Sequence, residues 1–372
     1  MLIKRGFNWG SATFLIAYHL FLIVALPIYF YYNMPAWGMW VTAFVLLYLT
    51  GLSITAGYHR YFAHRAYKAH PLVEYALLFF GSMSAQGSAL RWGFDHRLHH
   101  AHVDTDDDPY SINKGFWYAH WLWILEKPLP IDPKVVPDMM KNKLVVFQET
   151  YYPFIMVATN ALAWLFVGWL FNDYLGAFFI ATMLRMFALH HFTWFINSLA
   201  HTWGDKPFCQ EQSAVNNYIL ALLTFGEGYH NYHHVFANDY RNGIRWYHFD
   251  PTKWLIWTLS KLGLAHNLKS MDAAIINKRL VIERKNLLLD RITTLLKEKK
   301  EELIVQVDSL SERILQRIAQ FNQMKENYYT AQKEAKSTLK KELKEIRRSL
   351  KNDWREWSQL SKAILSHKPL HN

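Results

Sequence analysis

Three short histidine clusters carry the side chains of this chain that are best suited to chemistry. In the second and third clusters the spacing is i, i+3 and i+4, which places three imidazoles on one face of a helix. The clusters are His59 and His64, then His96, His99 and His100, then His230, His233 and His234. The first pair is spaced i, i+5, about 140° round an ideal helix, so we expect that helix to end or bulge between them.

A ninth histidine, His201, follows Asn197 at a spacing of i, i+4, so both side chains lie on one helix face. Imidazole suits iron, zinc and copper, and the full set exceeds what one ion of about four to six ligands needs. The histidines fit two ions, with Asn197 as a ligand directly or through water. Zinc does no redox chemistry. Two redox metals beside a large apolar region therefore predict O2 activation against a hydrocarbon.

The composition indicates a membrane setting for these clusters. The 372 residues are 51% hydrophobic and include 16 Trp, while the net charge is +11. A basic balance suits an anionic membrane surface or an acidic partner, and the apolar content favours the membrane over nucleic acid. Cys209 is the single cysteine, which excludes an internal disulfide and a multi-thiolate metal site.

Four apolar runs are each long enough to cross a hydrocarbon core of about 30 Å as a helix. They cover residues 11–32, 37–57, 153–171 and 174–195 and form two helical hairpins. A cleaved signal peptide is the alternative for the first run, but that run is too long and lacks a small-residue cleavage site.

Basic residues give the expected orientation of these spans. Lys4 and Arg5 precede the first hairpin, and Arg60 and Arg65 follow it. The positive-inside rule therefore places both termini and the histidines in the cytosol.

From about residue 268 the chain becomes rich in Lys and Glu and poor in aromatic residues. Apolar residues follow heptad steps from Leu303 to Ala335 and, after a four-residue shift, from Leu339 to Leu350. This pattern predicts a coiled coil with a stutter, either between two chains or folded back as a hairpin. A single solvated amphipathic helix is the alternative. We therefore predict a membrane domain at 1–267 and a charged helical tail at 268–372.

The clusters resemble the histidine boxes of the membrane fatty acid desaturases, specifically the Δ9 acyl-CoA (stearoyl-CoA type) group. The boxes have the forms H-x4-H, D-H-x2-H-H and H-x2-H-H, and N-S-x-x-H matches Asn197–His201. Thr193-Trp194 and Gly226-Glu227-Gly228 match as well, and the resemblance covers about residues 10–265. It implies an all-α integral membrane fold with four spans and a cytosolic helical cap that holds a di-iron centre.

The resemblance also implies a reaction, namely the O2-dependent introduction of a cis double bond, at Δ9, into a saturated acyl chain. The chain contains no His-Pro-Gly-Gly haem segment, ferredoxin cysteine set or flavin motif. We therefore expect two electrons to come from a separate ferredoxin- or cytochrome b5-like protein with its reductase.

The carrier of the acyl chain stays open. Phe94 stands where the animal acyl-CoA enzymes have an arginine that helps to bind the headgroup. Arg91, Arg97 and Lys114 are the alternative headgroup residues. CoA, phospholipid and a carrier protein therefore all remain candidates.

Other residues are expected around the metals. Carboxylates should hold the imidazoles through their second nitrogen, and the candidates are Asp95, Asp108 and Glu227. By resemblance, Trp194 lines the acyl tunnel, and its closed end lies where Leu47 and Gly51 share one face of the second span.

The charged tail and the residue sequence of Asp104–Tyr110 indicate a bacterial source. We therefore expect the protein to lie in the bacterial inner membrane. Three other functions remain open. A related di-iron fatty acid hydroxylase or alkane oxygenase uses similar boxes. The other two are a non-catalytic metal-binding membrane protein and a membrane anchor for a tail that serves as an interaction module. The Asn197–His201 segment and the Gly-Glu-Gly sequence favour desaturation.

Overall fold

The computed structural model describes residues 6–295 and 300–366, which divide into two compact units. The first unit holds residues up to 206 together with 212–270, and the second holds 207–211 together with those from 271 onward. Lys4 and Arg5, used above for the orientation, lie outside the described residues.

Four helices of the first unit are long and apolar enough to cross a membrane, as the sequence predicts. They are α1 (Trp9–Tyr32), α2 (Trp37–Ala63), the later part of α7 (Tyr152–Phe171) and α8 (Tyr174–His201). The second and fourth continue past their predicted ends at 57 and 195, so each carries its own histidines at its end. Most of the α1 surface is apolar and exposed, which suits contact with lipid.

Shorter helices form the cap between and after the spans. They are α3 (Pro71–Met83), α4 (Ala89–His102), α5 (Phe116–His120), α6 (Pro137–Met140), the start of α7 (Lys143–Phe171), α9 (Tyr218–Leu223), α10 (His230–Val235) and α11 (Pro251–Lys261). Short 3-10 segments lie at Ile112–Lys114, Leu122–Leu125 and Leu199–His201. The histidine boxes therefore lie on α2, α4 and α10, with His201 at the end of α8.

A two-stranded antiparallel sheet closes the first unit. Strand β1 (Lys68–Ala69) pairs with β2 (Ala265–His266). Just beyond it, the Lys269 backbone N–H donates to the Ala66 carbonyl at 2.8 Å. These bonds hold the end of the first unit beside the end of the α2 span.

In its described residues the second unit has three helices, α12 (Ala273–Leu295), α13 (Lys300–Thr330) and α14 (Ala335–Ser366). They share an apolar core that includes Val307, Leu310 and Ile314 of the predicted seam. The helix ends at Thr330 and a new one begins at Ala335, so a turn interrupts the predicted heptad pattern. Pairing with a second chain remains a prediction.

Candidate metal centre

Nine histidines from four separate segments converge in two neighbouring groups. The five-histidine group contains His59, His64, His96, His100 and His233. The four-histidine group contains His99, His201, His230 and His234. Within each group the candidate ligand nitrogens all lie within 4.8 Å of one another. The second and third sequence clusters are thus each divided between the groups.

In both groups the Nε2 atoms approach one another. In the five-histidine group, His233 Nε2 lies 2.9 Å from His59 Nε2 and 3.0 Å from His100 Nε2. In the four-histidine group, His230 Nε2 lies 3.1 Å from both His201 Nε2 and His234 Nε2. Lone pairs that point at a common centre match the arrangement that a metal ion requires.

A π-helix brings His59 and His64 together. Residues Ser53–Ala63 at the end of α2 are π-helical, and the His64 backbone N–H donates to the His59 carbonyl at 3.0 Å. An i→i+5 ladder needs more residues per turn than an α-helix and is frequent at functional sites. The expected interruption of the helix is therefore a change of helical form, and the two ring centroids lie 4.8 Å apart.

The protonation state of the rings also suits a metal. Burial, together with the neighbouring imidazoles, lowers the pKa of His96, His100, His233 and His234 well below the ordinary value. These rings are therefore neutral at physiological pH, the form in which histidine binds metals. An all-imidazole donor set fits iron, zinc or copper.

Two predicted carboxylates lie against the outer nitrogens of these rings. His59 Nδ1 lies 3.0 Å from Glu227 Oε2, and His99 Nδ1 lies 2.9 Å from Asp108 Oδ1. Such partners fix the tautomer and the ring orientation of a ligating histidine. The third predicted carboxylate, Asp95, lies 3.4 Å from Arg91 Nη1.

Glu227 belongs to a buried ion network that the sequence did not reveal. Arg60 is 1% exposed, and its Nη2 lies 2.9 Å from Glu227 Oε1 and 3.0 Å from Asp250 Oδ1. Burial raises the pKa of Glu227, but the Arg60 and His59 side chains lower it more, so the net shift is downward. Asn242 also donates its Nδ2–H to Glu227 Oε2 at 2.5 Å. The only signal in the sequence was an arginine directly after the first histidine.

A second unpredicted chain of contacts holds His201. His201 Nδ1 lies 2.6 Å from Ser213 Oγ, and the Ser213 backbone N–H donates to Asp104 Oδ2 at 2.7 Å. Asp104 begins the acidic run beside the second box, which was its only signal in the sequence. Ser213 lay in a loop with no recognisable pattern.

A cavity of about 360 Å³ opens onto both histidine groups. Its lining includes His59 and His96 of one group and His99 and His230 of the other. Most of the remaining wall is apolar, and the lining also contains Trp194 and Asn197. The size and apolar character are typical of a small-molecule site, and an acyl chain has matching chemistry.

Four imidazoles outside the two groups surround Trp194. The rings of His19 and His190 stack on its indole, while His120 and His191 contact it edge-on. His191 joins two of them, because its Nε2 lies 3.2 Å from His19 Nε2 and its Nδ1 lies 3.1 Å from His120 Nε2. These rings fix the indole as a wall of the cavity.

Known proteins resemble this chain over the same region. The family model described as fatty acid desaturase matches residues 7–268. A probable acyl-CoA desaturase of Schizosaccharomyces pombe is 44% identical over 294 residues, which are 77% of this chain and 60% of the relative. Acyl-CoA desaturase 1 of Saccharomyces cerevisiae is 43% identical over 237 residues, 62% of this chain and 46% of the relative. The chain thus spans only about half the length of these two relatives.

A bacterial protein matches over nearly its whole length. The sn-1 stearoyl-lipid 9-desaturase of Anabaena variabilis is 34% identical over 273 residues, which are 72% of this chain and 96% of the relative. This chain belongs to the fatty acid desaturase family. The histidine groups and the cavity all lie within the matched residues.

The role of two residues at the closed end of the acyl tunnel stays a prediction. Within the described residues, neither Leu47 nor Gly51 lines the cavity. A Cβ added at Gly51 would come 2.3 Å from the Phe225 ring. The Phe225 side chain therefore fills the space directly beside Gly51.

The three candidate headgroup residues differ in their position relative to the cavity. Arg91 lines the cavity, and its Nη1 donates to the Leu129 carbonyl at 2.7 Å. Arg97 donates to the carboxylate of Asp138 and to three backbone carbonyls, and its headgroup role stays a prediction. Lys114 is exposed and does not contribute to the described cavity lining.

Proposed function

We propose that this chain is an O2-dependent desaturase that introduces a cis double bond, at Δ9, into a saturated fatty acyl chain. One observation carries the proposal, namely that two groups of imidazoles face one apolar cavity. A hydrocarbon substrate needs a dry, shaped cavity, and its oxidation needs redox metals beside it.

The nine histidines fit two iron ions, one in each group, and Asn197 is available beside them directly or through water. When bound, the irons supply O2 activation and the oxidising power to remove two hydrogens from adjacent methylenes. O2 and those hydrogens, together with two electrons and two protons from outside, yield the double bond and two waters.

The protein itself supplies orientation and exclusion of water. Glu227 and Asp108 hold the rings of His59 and His99 through their outer nitrogens. Gln86 donates its Nε2–H to Thr193 Oγ1 at 3.0 Å across the cavity lining. Together with Trp194, this contact shapes the path of the acyl chain and thereby selects the carbons that meet the metals.

The position and the carrier of the acyl chain are inferred from relatives. The Anabaena relative is a stearoyl-lipid 9-desaturase, while the two fungal relatives are named as acyl-CoA desaturases. Relatives of similar identity include an icosanoyl-CoA 5-desaturase and an acyl-CoA Delta(11) desaturase. We propose Δ9 on CoA or on lipid, with Arg91 as the headgroup residue at the cavity.

The cellular setting completes the proposal. The protein is a multi-pass membrane protein, and we propose a bacterial inner membrane with the metal centre in the cytosol. The electrons come from a separate acidic donor of ferredoxin or cytochrome b5 type with its reductase. An acidic donor matches the net charge of +11 on this chain.

Expression in a desaturase-deficient host, followed by mass spectrometry of total fatty acids, tests this function. We expect a new cis-Δ9 monoene that is absent when His233 is replaced by Ala. His102 is exposed and belongs to neither group, so His102→Ala is the matched control and retains the product. Hydroxylated products, or purified protein without iron from iron-replete cells, would contradict the proposal.

A further inference from the structure

Between Lys340 and Arg355, one side of α14 carries basic residues only. The six residues that define this basic face are all exposed, and at about 100° per residue they lie within an arc of about 100°. They are Lys340, Lys344, Arg347, Arg348, Lys351 and Arg355. From the first to the last, the face extends about 22 Å along the helix.

The basic face has no internal charge partner in the described structure. Across residues 6–295 and 300–366, no carboxylate lies within ion-pair distance of any of its six side chains. Of the four acidic residues of the helix, Asp353 pairs with Arg313 and Arg317, and Glu356 also pairs with Arg313, while Glu342 and Glu345 lie outside the arc of the face at about 100° per residue. The carboxylates therefore stabilise the bundle and leave the basic face unpaired.

Folding of the bundle does not need this face either. The apolar side of α14 packs into the core of the second unit through Leu350, Trp354, Trp357 and Ile364. Neighbouring like charges on a helix are destabilising. The basic face therefore lowers the stability of the bundle, and no ion pair within the described residues offsets this. Such an arrangement indicates an anionic partner.

A short stretch of chain joins the second unit to the unit that holds the spans. The Lys269 backbone N–H donates to the carbonyl of Ala66. Ala66 lies just after Ala63, where the α2 span ends. The helices of the second unit begin shortly afterwards, at Ala273. This short connection keeps the local concentration of lipid headgroups around the bundle high.

We infer that the basic face of α14 binds anionic phospholipid headgroups of the membrane that holds the spans. Clusters of four to eight Lys and Arg beside a span or on an amphipathic helix are typical of such binding. Because the apolar side of α14 is already buried, the association is electrostatic and does not involve insertion. An acidic protein or RNA has no comparable tether, although both offer the same charge.

The experiment uses the full chain in reconstituted vesicles. A fluorophore is attached at Ser358→Cys, an exposed position on α14 beside the basic face, and wild-type protein gives the background from buried Cys209. The vesicles contain phosphatidylcholine alone or with phosphatidylglycerol, and a trace lipid carries a nitroxide on its headgroup. Quenching then reports approach of this face to the headgroups.

We expect strong quenching in the anionic vesicles at low salt and little in the neutral ones. Salt at about 0.5 M should remove the effect, because screening shortens the range of the interaction to a few ångströms. Removal of each basic charge should weaken the association roughly fivefold. K344E/K351E should therefore lose most of the quenching.

The matched control is K278E/K325E, which changes the net charge equally at two exposed lysines on the other helices of the bundle. It should retain the quenching, and circular dichroism should show equal helix content in both variants. Equal loss in the two variants, or equal quenching in neutral vesicles, would overturn the inference. A label that responds to added RNA or to an acidic protein but not to anionic lipid would also overturn it.

Discussion

The two histidine groups use the same ligand type but are supported differently. In the five-histidine group, His59 contacts Glu227, which is held by Arg60 in a fully buried ion network. In the four-histidine group, His99 contacts Asp108 directly, and His201 contacts Ser213. One group is therefore coupled to a buried arginine that has two carboxylate partners, whereas the other is oriented by the Asp108 carboxylate and by the link from Ser213 to Asp104. We therefore expect loss of an outer carboxylate to affect folding at the five-histidine group more than at the four-histidine group.

The largest effect should come from removing a ring from either group. His233→Ala leaves four rings in its group, while His230→Ala leaves three in the other. Both should lower the desaturation rate by more than roughly 100-fold, which is the largest loss typical for mutating a residue that only hydrogen-bonds to a metal ligand. His230→Ala should lose more iron, because fewer rings remain. Iron per chain, measured by elemental analysis, checks this order, and the reverse order would contradict it.

The outer carboxylates test the comparison directly. Glu227→Gln and Asp108→Asn should each reduce activity roughly 10- to 100-fold, because both leave a ring poorly oriented. Glu227→Gln alone should also lower the free energy of unfolding by about 3 kcal/mol, since Arg60 keeps its buried charge with one partner fewer. Thermal unfolding of the two variants in detergent distinguishes them. Equal melting temperatures would show that the Arg60 network does not stabilise the fold.

Ser213→Ala should have a more modest effect. His201 Nδ1 loses its 2.6 Å contact, and the loop loses the link to Asp104. We expect activity to decrease about tenfold, which is the smallest loss typical for mutating a residue that hydrogen-bonds to a metal ligand. Ser213→Thr keeps the hydroxyl and should restore most of the activity. A threonine variant as poor as the alanine variant would place the effect in loop packing instead.

The smallest effect should come from a site that belongs to neither group. Gly51→Phe places a second ring against Phe225, and at the predicted closed end of the tunnel this added volume should make the preferred acyl chain shorter. Gly38 of the same helix faces Phe171, which makes Gly38→Phe a matched control. Product lengths from lipid extracts check the shift. Unchanged lengths in Gly51→Phe, or an equal change in the control, would contradict it.

The spans and the histidine boxes could be predicted because each depends on a local pattern in the sequence. The four spans follow from long, predominantly apolar runs, since a helix that crosses lipid needs about 20 mostly apolar residues. The second and third boxes follow from helical spacing, which aligns their imidazoles before any tertiary contact forms. Asp108 and Glu227 were expected near the rings because each lies close in sequence to a box.

The sequence by itself determined the spans, the nine histidines and the family. Tertiary structure alone decided how the rings divide into groups of five and four, because each group takes rings from helices far apart in the chain. It also decided that Arg60 meets Asp250 across 190 residues, that Arg97 is occupied by Asp138 and that Phe225 fills the space at Gly51. Such contacts depend on packing between distant segments, which leaves no periodic trace in the sequence.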